Sequence, residues 1–196
     1  MITFIIPTLK RNTLQRAIDS LLQQTNKNWK AIVVFDGVDP VEYKHPQIKT
    51  IKIPKTGKVN YAGEVRNVGI KAADTEWIGF LDDDDTISKD YVSRFEEEVK
   101  LTPDAKCIIF RMKNYVSIPQ ILPLPQDDNF YEAKVGISFA MKKDLGLLFK
   151  ASPIEDFRLL EAIRKGRNKM VISPYVTYFV RNSPTQIGNF KRIIIN

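Results

Sequence analysis

Cysteine and histidine are almost absent from this chain: Cys107 and His45 are the only ones in 196 residues. A single cysteine excludes an internal disulfide framework and any multi-cysteine zinc site. Cys107 lies in the apolar run Ala105–Phe110, which reads as a buried strand, so a reduced core thiol is expected. His45 stands between Lys44 and Pro46 in an expected loop, leaving histidine-based catalysis and His-rich metal cages almost no material. Long apolar stretches are missing too, and none approaches the ~20 residues of a membrane span. The run Met1–Ile6 stops at Pro7, too short for a signal-peptide core, and no basic segment precedes it. A soluble, cytoplasmic protein is expected. Lysine and arginine outnumber acidic residues 30 to 23, a formal charge of +7, but they are dispersed rather than blocked. That dispersal favours a solvated surface over attraction to phosphates or to an anionic membrane face.

What the chain does contain is a regular alternation of strand-like and helix-like segments. Thr3–Ile6 is a buried-strand run ending at Pro7-Thr8; Ala31–Phe35 is a second, ending in Asp36-Gly37; Trp77–Leu81 is a third, breaking into Asp82–Asp85. Ile48–Ile53 alternates apolar residues with lysine, the period of a half-exposed strand. Asn12 or Thr13 is placed to cap a helix carrying Leu14, Ile18, Leu21 and Leu22 on one face. A second helix is expected from Asn60 through Val65, Val68 and Ala72, and a third over Tyr91–Leu101, stopped by Pro103. Ser117–Asn129, with Pro119, Pro123 and Pro125, reads as an active-site loop or excursion rather than a domain boundary. A short strand at Ile137–Met141, a helix from Pro153 to Lys165 and a strand at Met170–Val180 complete the pattern. The alternation predicts a single α/β domain over residues 1–196, Rossmann-like, with a mostly parallel central sheet and helices on both faces.

In open α/β sheets the ligand crevice lies beyond the carboxyl ends of the strands. Asp36 and Asp82 each follow a buried run, so both are expected at one cleft. Four consecutive aspartates repel one another unless water or a cation offsets the charge. A solvated turn capping the next helix through Asp85, Thr86 or Ser88 is one reading. Placement directly after a buried strand favours the other, a site for a hard cation such as Mn²⁺ or Mg²⁺.

Five segments occur in order: Ile5-x-Pro7-Thr8, Phe35-Asp36-Gly37, Val65-Arg66-Asn67-x-Gly69-Ile70, Phe80-Leu81-Asp82-x-Asp84-Asp85 and Ile154-Glu155-Asp156-Phe157. Together they resemble the family 2 glycosyltransferases, which have the GT-A fold. The resemblance runs from about residue 2 to 165. It implies a nucleotide-diphospho-sugar donor, such as a UDP-sugar, bound by the first half of the chain (about 1–100). A glycan, glycolipid or glycoprotein acceptor would lie on the second half (about 101–196). Pro7 and Thr8 would border the nucleotide, and Asp36 would accept a hydrogen bond from the base, unless it only makes a turn with Gly37. Arg66 would lie near the diphosphate, and Asn67 would brace the loop. In the DXD region, Asp82 would contact ribose or donor sugar, Asp84 would be the main metal ligand and Asp85 would sit beside it. Asp83 fills the variable, solvated position of the donor-binding segment. Asp156 would be the catalytic base of an inverting reaction.

Asp156 also stands out without the resemblance. Ser152-Pro153-Ile154-Glu155 reads as a capping box with proline at the first helical position, which gives Glu155 a structural task. Asp156 shares a stripe with Leu159, Leu160 and Ile163, so either neighbouring N–H groups satisfy it or it faces a cleft, the reading preferred here. The sequence departs from the family at Tyr178–Asn182, where several relatives have a metal-binding histidine, and Val65 replaces the commoner alanine. A sugar nucleotidyltransferase would want glycine in the loop Leu9–Asn12, which has none. A non-catalytic nucleotide-sugar-binding module is the other alternative, and an acidic cleft argues against nucleic acid.

Overall fold

All seven residues of β1 (Ile2–Thr8) are buried, which a strand achieves only when both faces of its sheet are covered. The computed structural model describes residues 1–56, 62–115, 118–185 and 187–196. β1 pairs in parallel with β2 (Trp29–Asp36) on one side and β4 (Trp77–Phe80) on the other, and β3 (Ile48–Ile53) extends the sheet beyond β2. β5 (Thr86–Ile87) pairs antiparallel with β9 (Met170–Val180), and β7 (Gln120–Leu122) with β6 (Cys107–Asn114). With β8 (Phe139–Lys142) and β10 (Ile193–Ile195), the order is β10-β9-β6-β8-β4-β1-β2-β3. β8 runs antiparallel to both β4 and β6, and β6 is parallel to β9. Hence β3, β2, β1, β4, β6 and β9 all point one way, and their carboxyl ends share one edge of the molecule. The expected α/β domain with a mostly parallel sheet is what forms.

Among the described residues four α-helices cover the sheet: α1 (Leu14–Leu22), α2 (Gly63–Ala72), α3 (Tyr91–Leu101) and α4 (Glu155–Lys165). Leu14, Ile18 and Leu21 are buried on α1 as their spacing predicts. Its cap differs from expectation. Thr13 already has a helical backbone (φ −77°, ψ −18°), so its hydroxyl does not bond the helix N–H groups; it is buried with no hydrogen-bond partner. Asn60, the expected start of α2, lies outside the described residues. Cys107 is a fully buried free thiol. His45 stacks flat against Trp29, with ring centroids 5.8 Å apart, and takes no part in the site below.

The proline-rich segment is an ordered excursion, and none of its described residues lines the cavity below. Residues 120–122 form β7, and Arg111, wholly buried, donates to the carbonyls of Pro123 (2.7 Å) and Leu124 (2.9 Å). Among the described residues no helix is long and apolar enough to cross a membrane.

Candidate active site

At the shared carboxyl edge a cavity of about 340 Å³ opens between the ends of β1, β2, β4 and β9 and the start of α4. Pro7, Thr8, Asp36, Arg66, Asp82, Asp83, Asp84 and Asp156 all line it, so the structure brings together every site residue expected from the sequence except Asp85. Asp85 lies just behind Asp84: one oxygen from each of Asp82, Asp84 and Asp85 lies within 4.8 Å of the others. Burial, then the neighbouring Asp82 charge, raises the Asp85 carboxyl pKa. Its Oδ1 accepts from the Arg181 backbone N–H (2.9 Å), and the Tyr178 hydroxyl, which accepts from the Asp82 N–H (3.1 Å), also bonds its side chain. Three hard oxygen donors that repel one another at this range fit a hard divalent cation such as Mn²⁺ or Mg²⁺.

Asp83 corrects the sequence expectation. It is buried rather than solvated, turned out of the cluster toward Thr8, whose Oγ1 donates to it at 2.6 Å. Burial outweighs that bond and raises its pKa. Thr8 in turn accepts from the Lys10 N–H (2.8 Å), so the β1 end and the acidic turn are tied together. Asp36 is also nearly enclosed. Its two oxygens accept from the Thr56 N–H (2.7 Å) and hydroxyl (3.0 Å), and the turn reading holds as well: Gly37 has φ +72°, and a Cβ there would lie 2.5 Å from that of Lys55.

Arg66 is 4% exposed, not a solvated helix charge. It donates to Asp82 (2.5 Å) and Glu155 (2.6 Å) and stacks over Phe149, while Asp156 Oδ1 lies 3.9 Å away. Burial opposes its charge, but Asp82, Asp156 and Glu155 more than offset this, and its pKa is raised. Glu155 supplies the second correction. It closes no capping box on α4; its Oε2 accepts from the Gly63 N–H (3.1 Å) at the start of α2. Ser152 Oγ only accepts from Ile154 N–H (3.3 Å), and no side-chain cap bond forms on α4. Asn67 braces as expected, exchanging two 2.9 Å hydrogen bonds with the Phe149 backbone.

Asp156 faces the cavity. Its side chain is 27% exposed, yet Oδ1 is enclosed and has no hydrogen-bond partner. Burial pushes its carboxyl up to about 7; Arg66 pulls the other way, and Asp82 and Glu155 add repulsion.

The family model for glycosyl transferase family 2 matches residues 3–143. The chain belongs to glycosyltransferase family 2. A glycosyltransferase, GlyA, of Streptococcus pneumoniae is 26% identical over 183 residues, 80% of this chain and 25% of that protein. Glycosyltransferase EpsJ of Bacillus subtilis is 30% identical over 109 residues, 51% of this chain and 30% of that protein. A Haemophilus influenzae glycosyltransferase is 26% identical over 110 residues, 55% of this chain and 37% of its own length. The chain therefore spans well under half of these relatives. Among solved structures, Staphylococcus aureus TarS 1–349 in complex with UDP superposes with a TM-score of 0.74 at 16% identity, covering 93% of this chain and 61% of that one. Its complex with UDP-GlcNAc gives 0.71 at 16% identity, covering 94% and 59%. The fold is GT-A-like.

Beyond the family's motifs, the cavity holds two arginines that sequence reasoning passed over. Arg11 donates to Asp83 and to Asp84, both at 3.2 Å, and Arg181 Nε donates to Asp84 at 3.3 Å. Arg11 was legible only as part of a loop without glycine, and Arg181 only as part of a segment without histidine. Neither type of absence announces a charge that the fold carries to Asp84.

Proposed function

We propose that this family 2 chain is a metal-dependent, inverting glycosyltransferase that moves a sugar from a UDP-sugar to a hydroxyl acceptor on a glycan, lipid or protein. The observation that carries the reading is Asp156. A carboxylate with one unpartnered oxygen, and a pKa near 7, opens into the same cavity as the Asp82, Asp84 and Asp85 cluster. The UDP and UDP-GlcNAc complexes of TarS support a uridine nucleotide donor at this edge of the sheet.

Residues of about 1–100 form the donor side of one transferase domain, and those of about 101–196 the acceptor side. Pro7 and Thr8 border the nucleotide. Asp36 holds the base through lone pairs left over from Thr56. Asp82 and Asp83 shape the floor beneath ribose and sugar, and Arg66 holds Asp82 in place. Asp82, Asp84 and Asp85 would hold the cation. When bound, a divalent cation supplies Lewis acidity toward the diphosphate as it departs. Asp156 takes the acceptor hydroxyl proton while that oxygen forms a bond to the anomeric carbon. The bond from that carbon to the diphosphate oxygen breaks on the opposite face, so one displacement inverts the centre.

The test is hydrolysis of a panel of UDP-sugars with Mn²⁺, with Mg²⁺ and with excess chelator. Hydrolysis of one donor only with metal, lost in Asp84→Asn, is expected. Full activity in chelator would remove the metal from the mechanism.

A further inference from the structure

Arg66 and the pair Arg11 and Arg181 make opposite kinds of ion pair in one cavity. Arg66 is buried, with short bonds of 2.5 and 2.6 Å. The side chains of Arg11 and Arg181 are 51% and 63% exposed, and both reach the same oxygen, Asp84 Oδ2, at 3.2 and 3.3 Å. Those lengths lie at or beyond the long end for an N–H···O bond, well past the usual range for a charged pair. Exposed pairs of this kind hold weakly and exchange readily. Yet Arg181 is positioned with care. Its backbone is left-handed at φ +53°, unfavourable for a residue with a side chain, and its N–H is anchored to Asp85. Two guanidinium groups thus sit on a carboxylate of the cluster that would hold a cation.

We infer that Arg11 and Arg181 are exchangeable counter-ions. They neutralise Asp84 when no donor is bound, and they move to the donor's phosphates when a cation takes that carboxylate. The inference rests on the proposed function and adds to it a coupling between cation and donor. A nucleoside diphosphate brings negative charge to a floor of aspartates, so it needs cationic partners at the rim. The two arginines have fork geometry suited to phosphate and are loosely enough held to reach it. Each ligand then vacates a partner the other needs. By linkage, the factor by which UDP tightens Mn²⁺ equals the factor by which Mn²⁺ tightens UDP. No histidine stands near the cluster to hold the cation independently, since His45 packs on Trp29.

The experiment measures Mn²⁺ affinity by electron paramagnetic resonance of free Mn²⁺, with and without UDP, and UDP affinity by calorimetry at saturating Mn²⁺. Wild type, Arg181→Gln and the double variant Arg11→Gln/Arg181→Gln are compared. UDP should tighten Mn²⁺ binding to the wild type by about tenfold or more, the worth of one or two charge-assisted bonds. Without UDP, both variants should bind Mn²⁺ several-fold more tightly than wild type. Their UDP affinity should fall by about tenfold per arginine, and the coupling factor should shrink. Variants that bind Mn²⁺ alone no more tightly than wild type overturn the exchange. Asp84→Asn separates the two levels of argument. If it loses Mn²⁺ while wild type binds both ligands, the functional reading stands and the arginine variants decide the exchange. If wild type binds neither Mn²⁺ nor UDP, the functional reading fails and the exchange fails with it.

Discussion

Ionising Asp156 works against the fold. Burial raises its carboxyl to about 7 from an ordinary 3.8, despite Arg66, so the folded chain holds that proton where an unfolded chain has released it. The sign follows from linkage. Stability associated with this group is fully present below about pH 4, declines as pH rises toward 7 and stays reduced above it. Asp156→Asn carries no ionisation cost, so at pH 8 it should melt above wild type by roughly 2–4 °C, about 1 kcal/mol. The two should converge near pH 4. Turnover should fall by ~10²–10⁴-fold, as for loss of a general base. Wild-type kcat/KM should climb with pH through about 7, because only the ionised carboxylate accepts the proton. Thermal melts at both pH values, with a pH–rate profile, check this. A variant that melts lower and turns over normally would make Asp156 a structural residue. The sequence pointed to this residue because its place on the α4 stripe is local, whereas its raised pKa comes from burial by the fold, opposed by Arg66 and reinforced by Asp82.

At the scale of elements, periodicity located helices and strands well and placed their caps poorly. β3, α3 and β9 coincide with the residues that the pattern marks. Caps depend on a single dihedral or partner, and neither Thr13 nor the Ser152–Glu155 segment forms the cap that its residue types suggest. Glu155 instead joins α4 to α2, gripping the Gly63 N–H and Arg66. Gly63 is where it is because a Cβ would lie 2.5 Å from Glu155 Oε2 and 2.7 Å from Phe149 Cβ. Gly63→Ala should therefore force the junction apart, costing about 1–3 kcal/mol of stability. Glu155→Gln keeps the shape but removes a charge from Arg66, and turnover should drop tenfold or more, since Arg66 then shifts beneath Asp82 and Asp156. Kinetics and melts on both variants test the junction. Near-normal turnover in Glu155→Gln would leave the junction a structural contact without influence on catalysis.

Across the whole molecule, a further buried charge sits far from the cavity. Glu98 of α3 is fully enclosed, accepting from Arg192 Nε (2.8 Å) and Nη2 (3.1 Å) and from Ser173 Oγ (3.1 Å). It ties α3 to β9 and to the approach of β10. Glu98→Ala should cost about 3 kcal/mol, a fall in melting temperature of roughly 6–12 °C. None of these residues lines the cavity, so kcat/KM below the transition should hold. An unchanged melting temperature would mean the cluster contributes nothing net. By itself the sequence determined the α/β order, the buried strands and the acidic residues that follow them, because burial runs and chain breakers act over a few neighbouring residues. Only the tertiary structure decided what each charge touches. Glu155 reaches Gly63 across 92 positions, Arg181 reaches Asp84 across 97 and Thr8 reaches Asp83 across 75. Such contacts form between groups that the fold brings to one edge, and no spacing along the chain encodes that meeting.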